Sequence, residues 1–307
     1  MRTIERIIII YGILYIVLYF FQFLNSEVVY FGWQEEFREE RGVVRINFPG
    51  GGVFFLFAFL AINKLTNSKK YFGVWLLICF TCIVVVVLQV TRQNIAMLFL
   101  LYLYHLFRNI SFSKKIGVVA IISVCALVAL TVDNPILNGL KEVQKDTSSQ
   151  GGDYIRILSG TYFLTEFSKN DVTRILGNGV PYYREYDASQ YGLYEHILQE
   201  ELNYFLPDVG FIAFYVMFGL FAILAYIAIL YKGLTIDIPK EFNYLKYYLM
   251  YVAGTGLTSD SPYSHKFLAT NIIAVICYQI IFERKKENDH FVNELSRPQK
   301  GTQVLIS

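Results

Sequence analysis

Inside a bilayer a backbone must satisfy its own hydrogen bonds, and three long apolar runs at residues 7–24, 71–90 and 208–231 commit this chain to doing so as helices. At about 1.5 Å of rise per residue, each run reaches across a hydrocarbon layer roughly 30 Å thick. Apolar residues make up 55% of the sequence, more than one soluble core of this length can hide from water. A cleaved signal peptide leaves a single such run followed by a soluble chain, a pattern this sequence lacks. The expected class is all-α, a polytopic transmembrane helix bundle.

Hydropathy marks eight candidate spans, at residues 7–24, 51–64, 71–90, 93–107, 116–132, 208–231, 243–258 and 264–283. The fourth is short, and Gly254 and Gly256 interrupt the seventh. Lys and Arg near span ends favour the cytoplasmic side, and an inside N-terminus places Arg2, Arg6, Lys64, Lys69, Lys70, Arg108, Lys114, Lys115, Lys232 and Lys240 there. The C-terminus is then also inside, whether the last two runs are full spans or one re-entrant pair. This divides the chain into an N-terminal bundle of about five spans (1–132), a large outward loop (133–207), about three C-terminal spans (208–283) and a polar cytoplasmic tail (284–307). In the loop, Tyr154, Ile155, Leu158, Tyr162 and Phe167, and then Leu193, Ile197 and Tyr204, recur at helical spacing. Two amphipathic helices against the bundle or the membrane surface are expected. The net charge of +2 gives no footprint for nucleic acid. Cys79 and Cys82 form a Cys-X-X-Cys pair within an apolar run, where helix packing is the expected role.

The outward segments carry Arg38, Arg41, Arg45, Arg92, Arg156, Arg174 and Arg184, an excess on a face that should be depleted of them. A guanidinium is a planar fork of donors that matches phosphate oxygens, so a lipid-linked phosphate or diphosphate suits such a surface. For Arg38, Arg41, Arg174 and Arg184 the plainer reading is pairing with neighbouring Glu and Asp as solvated charges. Arg92 opens an apolar span with almost no loop to carry it into water, and Arg156 lies on the polar side of its helix. The stretch "TRILGNGVPYYREY" holds a Gly-X-Gly turn, Gly177 and Gly179, but Tyr182 stands where a dinucleotide fingerprint needs its third glycine. The glycines instead permit positive φ in a tight turn or a close approach of backbone to a ligand. Asp208, ahead of a long span, fits a helix N-cap. Either His196 or the adjacent Glu195 has the chemistry of a general base. No metal-site spacing is evident, and Tyr182 and Tyr183 are candidates to stack on sugar rings.

The ordered set "TRQNIAMLFLL", "YIRILSGTYFLTEF", "RILGNGVP" and "EHILQEELNYFLPDVGFIAFYVMFGLF" resembles the bacterial O-antigen polymerase and O-antigen ligase superfamily of integral membrane glycosyltransferases. The likeness covers residues 92–220 and lies in the order of the motifs on this hydropathy profile. It implies a protein of the bacterial inner membrane that transfers glycan repeats from a polyprenyl-diphosphate donor to an acceptor sugar hydroxyl at the periplasmic leaflet, with no cofactor and no obligatory metal. Polymerase is preferred to ligase. Carried over by position, Arg92 and Arg156, with Arg174 nearby in the loop, hold the diphosphate, and His196 falls near the acceptor. The implied partners are the polyprenyl-diphosphate-linked oligosaccharide, membrane lipid and a chain-length regulator protein. This chain is shorter than usual for the superfamily, with fewer spans before the arginine-bearing one. The competing class is a transporter or flippase of lipid-linked glycans, which would carry polar groups through several spans.

Overall fold

A computed structural model describes residues 1–31, 37–40, 43–46, 48–68, 70–89, 91–109, 154–184 and 187–295. The fifth expected span, at 116–132, lies outside the described residues, as do Arg41 and Cys125. The protein is mostly helical, and three helices are long and apolar enough to cross a membrane: α1 (Arg2–Leu24), α8 (Phe211–Thr235) and α10 (His265–Leu295), the last through its Asn288. Between them come α2 (Gly51–Asn67), α3 (Phe72–Leu88), α4 (Arg92–Asn109), α5 (Ile155–Thr165), α6 (Asp171–Leu176), α7 (Gln190–Leu202) and α9 (Asn243–Thr255). Two small antiparallel hairpins, β1–β2 (Phe37–Glu40 with Val43–Ile46) and β3–β4 (Tyr183–Arg184 with Asp187–Ala188), were not foreseen by hydropathy, which is blind to short polar strands.

The centre of the bundle is α2. Its sequence is apolar on every side, and such a helix must be enclosed rather than laid on a surface. Phe54 through Ile62 are all buried, covered by α1, α3, α4, α9 and α10. The enclosing helices instead keep large apolar side chains on the outside, among them Ile10 and Val17 on α1, Leu77 and Phe80 on α3, Phe221 and Leu224 on α8, and Ile272 and Ile276 on α10. Lipid is the solvent such a belt requires.

Rings supply much of the packing between helices. Phe55 stacks on Tyr251 with centroids 4.2 Å apart, and Tyr15 stacks on Phe54 at 4.6 Å while Phe48 meets it edge-on. Buried tyrosine hydroxyls then need partners, and most find them on another helix. Tyr102 donates to the Ala58 carbonyl (2.9 Å), Tyr251 to Asn94 Oδ1 (2.8 Å) and Tyr248 to Asn271 Oδ1 (2.8 Å), while the Gln89 amide donates to the Tyr15 hydroxyl (3.0 Å). The His105 ring lies between Thr66 (2.6 Å) and Tyr247 (2.8 Å). Such bonds hold helices together where no hydrophobic force separates protein from lipid. Cys79 and Cys82 are buried free thiols in this packing, as is Cys277.

The polar contacts sort into two ends. At one, Lys64 pairs with Glu5 (2.7 Å), Asn63 donates to the Glu241 carbonyl (2.6 Å), and Lys285 pairs with Asp237 (3.2 Å). At the other lie the starts of α2, α4, α8 and α10 and the end of α9. The chain passes back and forth between these ends. Helix α10 runs on to Leu295, past the boundary expected at residue 284, because "ERKKEN" consists almost wholly of good helix formers.

The buried amide of Asn271 joins α9 to the segment ahead of α10: it accepts from Tyr248 and donates to the carbonyls of Ser261 (3.0 Å) and Pro262 (3.2 Å). Asn271→Ala leaves three buried polar groups without partners, at a cost of about 1–3 kcal/mol. Thermal unfolding in detergent should show a clear drop for Asn271→Ala and a smaller one for Tyr248→Phe.

Candidate functional site

The second end of the bundle is built from α4, α8, α9 and the loop helices α5 to α7. Arg92 is exposed at the start of α4. Its neighbour Gln93 accepts a hydrogen bond from the Thr258 hydroxyl (2.5 Å), just beyond α9. The Gly256 carbonyl in the same segment accepts from the Phe211 amide (2.8 Å), which ties α9 to the first turn of α8. Three residues before Phe211, Asp208 lies 3.7 Å from Arg156 at the start of α5. Arg92 and Arg156 therefore stand at the same end of the bundle, joined through residues 208–211 and 256–258.

Asp208 does not cap α8, as its sequence position led one to expect. It belongs to a 3₁₀ turn, Leu206–Val209, and Gly210 occupies the N-cap position without a side-chain bond. The proline at 207 fixes φ and favours this tight turn, so the carboxylate is directed to Arg156 instead.

Helix α7 starts with a true cap, Ser189 Oγ accepting from the Gly192 amide (3.0 Å). This fixes Glu195 and His196, which the structure separates by environment. His196 stacks on Tyr183, centroids 3.8 Å apart, and its Nε2 faces Glu200 Oε1 at 3.3 Å on the same helix. Glu195, half-buried like its neighbour, makes its contact along the helix with Gln199. Burial raises its carboxyl pKa above the ordinary value, opposed by the Gln199 amide donating at 2.6 Å and by His196. Tyr263, in the segment ahead of α10, has a buried hydroxyl with no hydrogen-bond partner among the described residues. Burial raises its pKa, and the nearby carboxylates of Asp260, Glu195 and Asp208 add to the effect. One tyrosine thus marks the common ground of three carboxylates, one of them paired with Arg156. Tyr162 and Tyr194 bring their hydroxyls together beside it, within a cluster that includes Phe163, Phe167 and Tyr204.

Arg174 is held elsewhere. It pairs with Asp171 (3.5 Å) and donates to the Thr165 carbonyl (3.3 Å) at the far end of α5, nine residues or roughly 14 Å of helix from Arg156. Its guanidinium ties α6 to α5. Tyr182 lies under Arg184 (5.3 Å), so neither sugar-stacking candidate has both faces open.

Gly177 and Gly179 take the positive φ expected of them (88° and 82°), but the close approach they serve is to α8, which sequence reasoning did not find. Inside α8 the helix breaks at Gly219 (φ 82°, ψ −179°). The carbonyls of Val216 and Met217, whose intrahelical partners lie beyond that break, accept instead from the amides of Asn178 (2.9 Å) and Gly179 (3.0 Å). The Asn178 side chain adds a second bond to Val216 (3.0 Å) and one to Ser168 Oγ (2.9 Å). Gly177, itself at φ 88°, meets Gly219 backbone to backbone: a Cβ on Gly219 falls 2.2 Å from the Ile175 carbonyl, and one on Gly177 falls 2.3 Å from that of Met217. The sequence signal was the glycine pair. Its docking partner lies forty residues away.

Among the described residues no group of three His, Cys, Asp or Glu side chains is arranged to hold a metal ion. The chain matches no family model, no curated protein and no solved structure.

Alanine at Gly219 or Gly177 adds a backbone clash to a φ that L residues avoid, whereas Gly179 (φ 82°) has open space around its Cα. Strain alone costs about 1–3 kcal/mol. Thermal midpoints should therefore fall further for Gly219→Ala and Gly177→Ala than for Gly179→Ala.

Proposed function

We propose that this chain is a multi-pass protein of the bacterial cytoplasmic membrane that transfers glycan repeats from a polyprenyl-diphosphate donor to an acceptor sugar hydroxyl at the outer leaflet. The observation that carries the reading is the Arg156–Asp208 pair (3.7 Å) at the end of the bundle where α4 presents Arg92, with the buried, unpartnered hydroxyl of Tyr263 influenced there by the charges of Asp208, Glu195 and Asp260. The order of the motifs from Arg92 to the start of α8 adds to it. An N-terminus and C-terminus inside, with about eight crossings, agrees with Lys64, Lys240 and Lys285 lying together at the opposite end. Helix α4 also ends there, beside Thr66, while α5 begins beside Asp208 at the other end.

In this reading Arg92 and Arg156 neutralise the diphosphate, and Asp208 keeps Arg156 in place between turnovers. Glu195 is the base. Its desolvation lifts its proton affinity toward what a sugar hydroxyl requires at neutral pH, while His196 is engaged by Tyr183 and Glu200. The acceptor oxygen attacks the anomeric carbon, its proton passes to Glu195, and the bond to the diphosphate breaks with the electron pair leaving on the lipid carrier. Asp260 and the tyrosines of α5 and α7 suit the sugar itself, since carboxylates accept from hydroxyls and rings cover apolar sugar faces.

The second reading is a carrier of lipid-linked glycans, and the break in α8 favours it, because broken helices line the binding sites of many transporters. Against it, the carbonyls freed at Gly219 are already taken by Asn178 and Gly179.

Membranes or proteoliposomes supplied with a polyprenyl-diphosphate oligosaccharide should yield longer glycans. Arg156→Ala should lower the rate by about 10²–10³-fold, Glu195→Gln by about 10²–10⁴-fold, and His196→Gln only slightly. Glu195 must be ionised to act, so the rate should rise with pH through its pKa, above the usual carboxylate range, and this limb should vanish in Glu195→Gln. Lipid movement without glycan growth would decide for the carrier.

A further inference from the structure

Helix α6 and the turn after it present an anomaly of exposure. The helix buries none of its residues, and Val172, Leu176 and Val180 are 64%, 65% and 64% exposed, although the backbone between them is fixed tightly to α8. A solvated turn with three such side chains is costly. At the point of docking, Gly177 abuts Gly219 and Gly179 bonds to Met217, so Leu176 and Val180 flank the same stretch of α8 that carries Phe218, Leu220 and Phe221, themselves 38%, 42% and 67% exposed. The apolar strip continues down α8 through Leu224 and Ile227, on a helix of membrane length.

Most donors of this turn are bonded within the protein. The amide of Gly177 donates to Thr173, those of Asn178 and Gly179 to α8, and that of Tyr182 to Ser189 Oγ, and Pro181 has no N–H, which leaves the amide of Val180 without a partner among the described residues. Irregular backbone at the bilayer surface needs its donors met within the protein or, at headgroup depth, by water and lipid oxygens. Around the apolar patch stand Arg174, Tyr182, Tyr183 and Arg184, the residue types that settle at the headgroup level.

We infer that residues 172–183 form a wedge inserted into the outer-leaflet interface of the bilayer, with Val172, Leu176 and Val180 among the upper acyl chains and the arginines and tyrosines at the headgroups. The occupant of this face is lipid, because the patch is continuous with the lipid-facing side of α8. The inference stands apart from the catalytic reading, since it requires only that α8 cross the membrane.

Brominated phospholipid tests it. Leu176→Trp and Val180→Trp are made separately in the full chain carrying Trp33→Phe and Trp75→Phe, and each is reconstituted into vesicles of a phospholipid brominated near the headgroup end of its chains. Strong loss of emission relative to unbrominated vesicles at both positions, with Glu201→Trp on α7 unaffected, is the expected result. Emission indifferent to bromine at both positions overturns the proposal: at long wavelength it means water, and at short wavelength it means cover by a second copy or by another part of this chain. Two separate positions guard against the failure of either variant to fold, and size-exclusion of each reconstituted sample confirms that the protein measured is intact.

Discussion

A helix that breaks beside a bilayer must have its freed carbonyls answered, and the arrangement of the outer end follows from how this chain answers them. Val216 and Met217 are bonded by Asn178 and Gly179, a contact possible only because glycines stand on both sides of it. Once that turn is seated on α8, α6 is placed, α5 is tied to it through Arg174 and Thr165, and Arg156 arrives opposite Asp208. The described part of the loop is thus an extension of the bundle rather than a domain resting on it.

The interior obeys the same accounting with side chains. A core rich in tyrosine buries large rings, but every hydroxyl taken from water needs a partner. Asn94, Asn271, Gln89 and His105 meet that need from neighbouring helices, so the polar atoms of this membrane protein act as specific fasteners within apolar packing. Tyr19 and Tyr244 are exceptions, with no partner for their hydroxyls among the described residues.

Hydropathy alone placed α1, α2, α3, α4 and α9 to within a few residues at most ends, because each is a continuous apolar run bounded by polar or glycine-rich segments. The helix α5 was legible for a different reason, the helical spacing of its apolar residues. What escaped was whatever depends on contact between distant segments. Asp208 reads as a cap until Pro207 and Arg156 are seen around it, and "ILGNG" reads as a ligand loop until the break at Gly219 supplies a different use for it. Glu195 and His196 were equivalent on paper; their contacts separate them, Gln199 for the carboxylate and Tyr183 with Glu200 for the imidazole. Arg92 and Arg156 were recognisable as charges in expensive places, but their sharing one end of the bundle rests on Gln93 and Thr258, which had no sequence signal, and on Gly256, legible only as an interruption of a span.

The enclosure of α2 bears on the order in which the protein can be made. Its neighbours α9 and α10 leave the ribosome long after it does, so during synthesis the faces that will meet Tyr251 and Thr270 have only lipid or the early helices to lie against. Asn63 waits in the same way for the carbonyl of Glu241. The second helix is therefore provisional until the last two arrive, and the final shape is sealed from its C-terminal side.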